Sequence, residues 1–142
     1  MPRRVRVVLG LALALASLSA CSNDTTTPTD TTPLLTTEVY LGTLNRGESG
    51  FYSFTVANSG TAAISLASLT DAATGRVLDT TLELGSGVPA GEGCNASTTM
   101  NVSPALSAQI AGAVNTGIYC ARIADVGNLR SAASFAVRIV HP

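Results

Sequence analysis

The stretch Phe51-Tyr-Ser-Phe-Thr-Val56, followed after a short turn by Thr61-Ala-Ala-Ile-Ser-Leu66, decides the fold class of this chain. In both segments the larger apolar side chains occupy every second position. Because successive side chains of a strand point to opposite faces, this period places the apolar residues on one face. Asn58-Ser59-Gly60 lies between the segments and carries residue types that favour turns. The sequence therefore predicts two consecutive, half-buried β-strands.

The same period of two continues along the chain in both directions. Residues typical of turns separate the segments at Asp71–Gly75 and Asp125–Asn128. Further strands are predicted at Glu38–Thr43, Leu78–Leu84, Ile118–Ala124 and Phe135–Ile139. About six short strands at a spacing of roughly ten residues are typical of an antiparallel sandwich or barrel. The chain is therefore predicted to be all-β.

One segment does not follow the strand pattern. Ser103-Pro104 resembles the start of a helix, and Leu106 and Ile110 are four residues apart, as on one helical face. Gly112 would limit such a helix to about two turns. Residues 104–111 are therefore expected to form either a loop or a short helix.

The N-terminal segment has the pattern of an export signal. Three arginines at positions 3, 4 and 6 precede an apolar run, Val7–Leu18, that is shorter than the roughly 20 residues a membrane-spanning helix needs. Leu18-Ser19-Ala20-Cys21 then resembles the lipobox of bacterial lipoproteins. That resemblance implies cleavage before Cys21 and acylation of its thiol, and two or three acyl chains hold a protein firmly on a bilayer. The alternative is an ordinary secretory signal cut after Ala20.

The lipobox resemblance also implies a location. In lipoproteins of two-membraned bacteria, an aspartate after the cysteine favours retention at the inner membrane, and this chain has Ser22 there. The expected location is the bacterial cell envelope, with the outer membrane favoured where there are two membranes.

The predicted domain organisation has three parts. Residues 1–20 are the signal peptide. Residues 21–33 begin with the lipidated Cys21 and continue as a Thr/Pro-rich tether, whose composition offers too little apolar surface to fold. Residues 34–142 are long enough for one compact domain.

Cys94 and Cys120 are the two cysteines of the predicted domain, out of three in the chain. In an exported protein such a pair is expected to form a disulfide. Closing a loop of about 26 residues stabilises a fold by roughly 3–4 kcal/mol and would hold Gly85–Gly93 near the domain. A structural zinc site, the alternative, needs three or four nitrogen or sulfur ligands, and the single histidine is His141. We therefore predict the disulfide.

A family resemblance extends over about 100 residues of the predicted domain. Its segments are Leu41-Gly42-Thr43-Leu44, Phe51–Val56, Gly117–Asp125 and Phe135-Ala136-Val137. This order resembles the bacterial pre-peptidase C-terminal domain, a small jelly-roll-like β-sandwich of exported proteins. The resemblance implies the same fold and an accessory, non-catalytic role.

Charge and motifs restrict the function further. Beyond residue 20, five arginines oppose nine carboxylates, a formal charge of −4, and the chain has no lysine. This balance disfavours a nucleic-acid partner, because neutralising phosphates is the main source of that affinity. A Ser-His-acid triad would have to use His141, close to the end of the sequence. No catalytic residue and no cofactor are therefore predicted.

Carboxylates are the remaining candidates for chemistry. Asp79 and Glu83 are predicted to share a strand face about 13 Å apart, too far for a glycosidase pair. Glu92, in a glycine-rich loop, and Asp125, at a turn, are the candidate calcium ligands, although calcium needs six or more oxygens. Aspartate at a turn also commonly bonds its own backbone.

The sequence thus favours a non-enzymatic, membrane-tethered binding or structural module of the envelope. Its expected partners are the bilayer, through acylated Cys21, and an envelope protein or glycan. Two alternatives remain open: a small envelope hydrolase using Glu92 and Asp125, and an assembly or inhibitor factor for an envelope protein.

Overall fold

The structure is a computed structural model that describes residues 34–142. The predicted signal peptide, Cys21 and the tether lie outside the described residues. Within the described range the chain forms eight β-strands and no helix. The strands are β1 (Thr36–Leu44), β2 (Ser49–Val56), β3 (Gly60–Asp71), β4 (Leu82–Ala90), β5 (Gly93–Val102), β6 (Ile110–Val114), β7 (Gly117–Ala124) and β8 (Ala133–His141).

The strands form two four-stranded antiparallel sheets. Sheet A has the order β1-β8-β3-β6, and sheet B has the order β2-β7-β4-β5. Consecutive strands alternate between the sheets except at the β4–β5 hairpin, which lies within sheet B. This order of strands is that of a double Greek key, which is the connectivity of a jelly roll. The predicted all-β, jelly-roll-like sandwich is therefore confirmed.

The core lies between the sheets and comes from the alternation seen in the sequence. In β8 every second residue, from Ala133 to His141, is buried, and the residues between them are half-exposed. Each sheet buries one face against the other, because that face carries most of its large apolar side chains. The largest fully buried side chains are Leu44, Val56, Ile64, Leu66, Leu69, Leu82, Leu84, Cys120, Ile123, Val137 and Ile139.

Three strands, β4, β5 and β6, differ from the predictions. β4 begins at Leu82 rather than at Leu78, so Asp79 lies in the preceding loop and does not share a strand with Glu83. β5 was not predicted, because its sequence is mostly polar and its side chains are largely exposed at the edge of sheet B. An edge strand packs few side chains in the core, so its periodicity is weak.

Residues 103–109 form a loop and not a short helix, and Ile110 begins β6. Just before the start of β6, the side chain of Gln109 provides a hydrogen-bond acceptor for the backbone of β3. Its carbonyl oxygen accepts from the N–H of Leu66 at 2.7 Å, and its amide donates to the carbonyl of Ser103 at 2.5 Å. Tertiary pairing with β3 thus prevails over the local helical spacing.

Among residues 34–142 there is no helix of the length and hydrophobicity needed to cross a bilayer.

Candidate functional site

The hairpin of β4 and β5 is covalently attached to sheet B. Cys94 of β5 and Cys120 of β7 form the predicted disulfide, with their Cα atoms 5.8 Å apart. β5 is not a neighbour of β7 in the sheet, so the bond holds the end of the hairpin over the outward side of β7. Cys120 is fully buried beneath it. The predicted disulfide is thus confirmed, and the glycine-rich segment Gly85–Gly93 lies in the hairpin that the bond attaches.

A bulge allows the hairpin to bend. The register of β4 against β5 shifts between Ser86 and Gly87. A Cβ atom on Gly87 would overlap the carbonyl oxygen of Asn95, so a side chain cannot be placed there without moving the backbone. Glycine at this position thus permits the close approach of the two strands.

Glu92 lies at the exposed turn of this hairpin. It lines a shallow cleft together with Phe51 of β2 and Arg122 of β7. Arg122 is already paired with Glu83 of β4 in an ion pair across the outer face of sheet B. No group of three or more acidic, histidine or cysteine side chains positioned to hold a metal ion is found within residues 34–142. Glu92 and Asp125 therefore belong to no such group within residues 34–142.

Asp125 follows β7 and ties two loops together. Its Oδ1 atom accepts from the N–H groups of Gly127, Asn128 and Leu129 at 2.8–3.1 Å. Its Oδ2 atom accepts from the N–H of Gly47, in the β1–β2 turn, at 2.8 Å. Burial alone would raise the pKa of Asp125, but the four backbone donors outweigh it and lower that pKa.

The same arrangement recurs at Asp71, at the end of β3. Its Oδ2 atom accepts from the hydroxyl of Ser131 at 2.5 Å, and its Oδ1 atom accepts from the hydroxyl and N–H of Thr74 at 2.8 Å. These bonds, that from Ser131 foremost, lower the pKa of Asp71 to about 2. Both aspartates thus act as turn-forming acceptors, the role that aspartate commonly has in turns.

A cluster of three polar side chains lies where β1 and β2 form the edges of their sheets. The hydroxyl of Tyr52 donates to Oε2 of Glu38 at 2.6 Å, and Nε2 of His141 lies 2.9 Å from Oε1 of the same carboxylate. The hydrogen bond from Tyr52 is the main cause that lowers the pKa of Glu38, and it raises the pKa of Tyr52. Glu38 and Tyr52 belong to different sheets, so the cluster links them.

The sequence analysis does not predict this cluster, since it treats His141 only as a residue close to the end of the sequence. The residue instead closes β8 and is only 2% exposed, with its ring 5.2 Å from that of Phe54. The signal was present, since His141 continues the inward alternation of Phe135, Val137 and Ile139. The polar partners of its ring are a carboxylate and the carbonyl of Pro142, an arrangement that positions a side chain and presents no nucleophile.

A small groove opens between the sheets on the opposite side, where β6 approaches β4 and β5. It has a volume of about 160 Å³. Its lining combines apolar side chains with the hydroxyls of Ser86, Ser97 and Thr98. Ligand pockets usually measure about 300–1,000 Å³, so the groove matches a single side chain of a partner better than a whole small molecule.

The chain matches no protein-family model, and no curated protein sequence matches it.

Proposed function

We propose that this protein is a bacterial lipoprotein whose jelly-roll domain acts as a non-catalytic binding or structural module in the cell envelope, held at the membrane by acylated Cys21. The observation that carries the proposal is the disulfide between Cys94 and Cys120. Such bonds persist in oxidising compartments, so the disulfide supports export.

The disulfide also bears on the anchor. It engages two of the three cysteines, and the remaining one, Cys21, ends the segment that resembles a lipobox. One acyl chain gives only marginal binding to a bilayer, whereas the two or three of a lipoprotein hold it stably. The outer membrane is the proposed location where the cell has two membranes, because Ser22 follows the cysteine.

The uses of the carboxylates support a non-catalytic role. Asp71 and Asp125 accept hydrogen bonds that form turns, Glu38 joins the two sheets, and Glu83 pairs with Arg122. Each therefore has a structural partner. Glu92 is exposed on the β4–β5 turn, and it lines a shallow cleft together with Arg122.

The anchor is tested by the intact mass of the protein purified from bacterial membranes. We expect a chain that begins at Cys21 and carries a diacylglyceryl group, with or without a further amide-linked acyl chain. A Cys21→Ala variant is the control and should keep its signal segment or appear without acyl mass. A wild-type chain cut at Cys21 without lipid, or cut elsewhere, would contradict the proposal.

The non-catalytic role is tested with a Glu92→Gln variant of the same protein. The exchange keeps size and leaves the turn intact, so we expect unchanged folding and unchanged binding of any envelope partner captured by cross-linking in intact cells. If the wild type hydrolysed an envelope glycan or peptide and the variant did not, the hydrolase alternative would replace this proposal.

A further inference from the structure

The outer face of sheet A differs in charge from the rest of the domain. We define this face by the residues that point away from the core: Thr37, Val39, Leu41 and Thr43 of β1; Ser134, Ala136, Arg138 and Val140 of β8; Thr61, Ala63, Ser68 and Thr70 of β3; and Ala111 and Ala113 of β6. Ser65 of β3 lies on the same side but is only 2% exposed. The face contains small apolar side chains, hydroxyls and one arginine. None of these residues is a carboxylate, although the chain beyond residue 20 has a formal charge of −4.

The largest apolar side chains of this face lie along its β1 edge. Leu41 is 71% exposed and Val39 is 54% exposed. Leu34 and Leu35, the two residues before the strand, are 91% and 64% exposed. Single exposed apolar residues are ordinary, but several along one edge mark a contact surface, and we call these four residues the apolar row.

Arg138 stands within this apolar region. It lies opposite Val39 on β1 and Ser65 on β3, and it is half-buried. No carboxylate within residues 34–142 forms a salt bridge with it. A guanidinium presents several N–H donors in a planar fork that suits phosphate oxygens, and its aliphatic stem tolerates apolar surroundings.

The position of the anchor selects the partner of this face. Cys21 precedes Leu34 by 13 residues, and a chain of that length spans at most roughly 45 Å. The chain therefore enters the domain at the β1 edge, beside the apolar row. A surface that a linker of this length holds near an acyl anchor experiences a raised effective concentration of lipid, so that weak contacts are sufficient for binding.

We propose that the outer face of sheet A, led by its β1 edge, lies on the phospholipid surface in which acylated Cys21 is embedded. Leu34, Val39 and Leu41 enter the interface, and Arg138 binds lipid phosphate. The lack of carboxylates on this face avoids repulsion from the phosphates. This inference rests on the proposed lipid anchor and specifies the orientation of the domain on the membrane.

The absence of tryptophan from the chain makes the orientation measurable. A single tryptophan is introduced by Leu41→Trp or, as the matched control, by Ile118→Trp; Ile118 is 60% exposed on the outer face of sheet B. Chains that begin at Cys21, with the Cys94–Cys120 disulfide intact, are coupled through the Cys21 thiol to maleimide lipid in phosphatidylethanolamine/phosphatidylglycerol vesicles. This coupling works whether or not cells acylate Cys21, so a failure of the proposed anchor is recognised separately by intact mass.

We expect lipids with brominated acyl chains to remove most of the emission of the Leu41→Trp protein and little of that of the Ile118→Trp protein. Val39→Trp, on the same stripe, should repeat the result if Leu41→Trp disturbs folding. Equal quenching of the two faces, or none on either, would overturn the proposal. Emission changes that depend on protein density and not on bromine would overturn it in favour of β1 pairing with a second copy of the chain.

Discussion

The outer faces of the two sheets are built from similar strands, yet they differ in how they are covered. The face of sheet B carries the Glu83–Arg122 ion pair, and the hairpin tethered by Cys94 folds over part of it. The face of sheet A has no carboxylate, one arginine without an ion-pair partner in the described range, and an apolar row at its edge. One face is thus occupied by the chain's own residues, and the other is available to a partner. The two sides of this sandwich thus differ in where charges lie and in what covers them, although their strands are similar.

The largest effect is expected from removing the disulfide that attaches the β4–β5 hairpin to sheet B. The double substitution Cys94→Ser and Cys120→Ser should lower the free energy of unfolding by about 3–4 kcal/mol, because the bond closes a loop of 26 residues in sequence. Urea unfolding of the oxidised wild type and the variant measures this difference. A loss below about 1 kcal/mol would mean that the hairpin is held in place without the bond.

A slightly smaller loss is expected where the hairpin bends. Gly87→Ala should destabilise the domain by about 3 kcal/mol, because the new methyl group overlaps the backbone at Asn95. Gly112→Ala in β6 of sheet A is the matched control. It meets open space and should be neutral or stabilising by about 0.5 kcal/mol. Thermal or urea unfolding of the two variants compares the sheets directly, and similar losses would show that the bend does not depend on glycine.

Asp125, which accepts hydrogen bonds from two loops, should contribute to the free energy of unfolding. Asp125→Ala leaves four backbone N–H groups without their acceptor and should cost about 2 kcal/mol. Hydrogen exchange at Gly47 should increase together with that at Asn128, because one side chain holds both loops. If exchange increased in one loop only, the link between them would be wrong.

Acid should weaken the same turns. The pKa values of Asp71 (about 2), Asp125 and Glu38 are lower in the folded chain than their ordinary values. Their contribution is therefore complete above the unfolded-state pKa values near 4 and is lost as the pH falls through the folded-state values. We expect the urea midpoint to be flat from pH 7 to about 5 and to fall towards pH 2. An Asp71→Asn variant should show a shallower fall, and an equally steep one would assign the effect to other groups.

The smallest effect is expected on the outer face of sheet B. Glu83→Gln removes a partly exposed ion pair, which is worth at most about 1 kcal/mol. The loss should shrink further at high salt, because exposed charges are screened. Urea unfolding at low and high salt measures it. A loss of several kcal/mol that persists in salt would mean that the pair is a core interaction rather than a surface one.

Much of the fold could be predicted from local patterns. The alternation in Phe51–Val56 and in Phe135–Ile139 predicts strands because a strand must bury one face and leave the other in water. The disulfide could be predicted because Cys94 and Cys120 are the only cysteines within residues 34–142. The role of Asp125 as a turn acceptor was also predictable from its residue type and place.

The parts that were missed depend on contacts distant in sequence. β5 is an exposed edge strand, and its sequence lacks a clear alternation of apolar and polar residues. Its pairing with β4, and not such a pattern, makes it a strand. The Glu38–Tyr52–His141 cluster joins residues as much as 103 positions apart, so no local motif marks it. The segment 104–111 has helical spacing, yet the backbone N–H groups of Ala105 and Gln109 donate to carbonyls of β3 and hold it as a loop and the start of β6.

The sequence by itself determined which side chains of each strand share a face, because that follows from a backbone period of two. It also determined the residues of the disulfide and the chain's overall negative charge. Only the tertiary structure decided which strands are neighbours, and therefore that the outward residues of β1, β8, β3 and β6 combine into one face without carboxylates. The reason is that neighbours in a jelly roll are set by pairing between distant segments, whose order depends on the packing of two whole sheets.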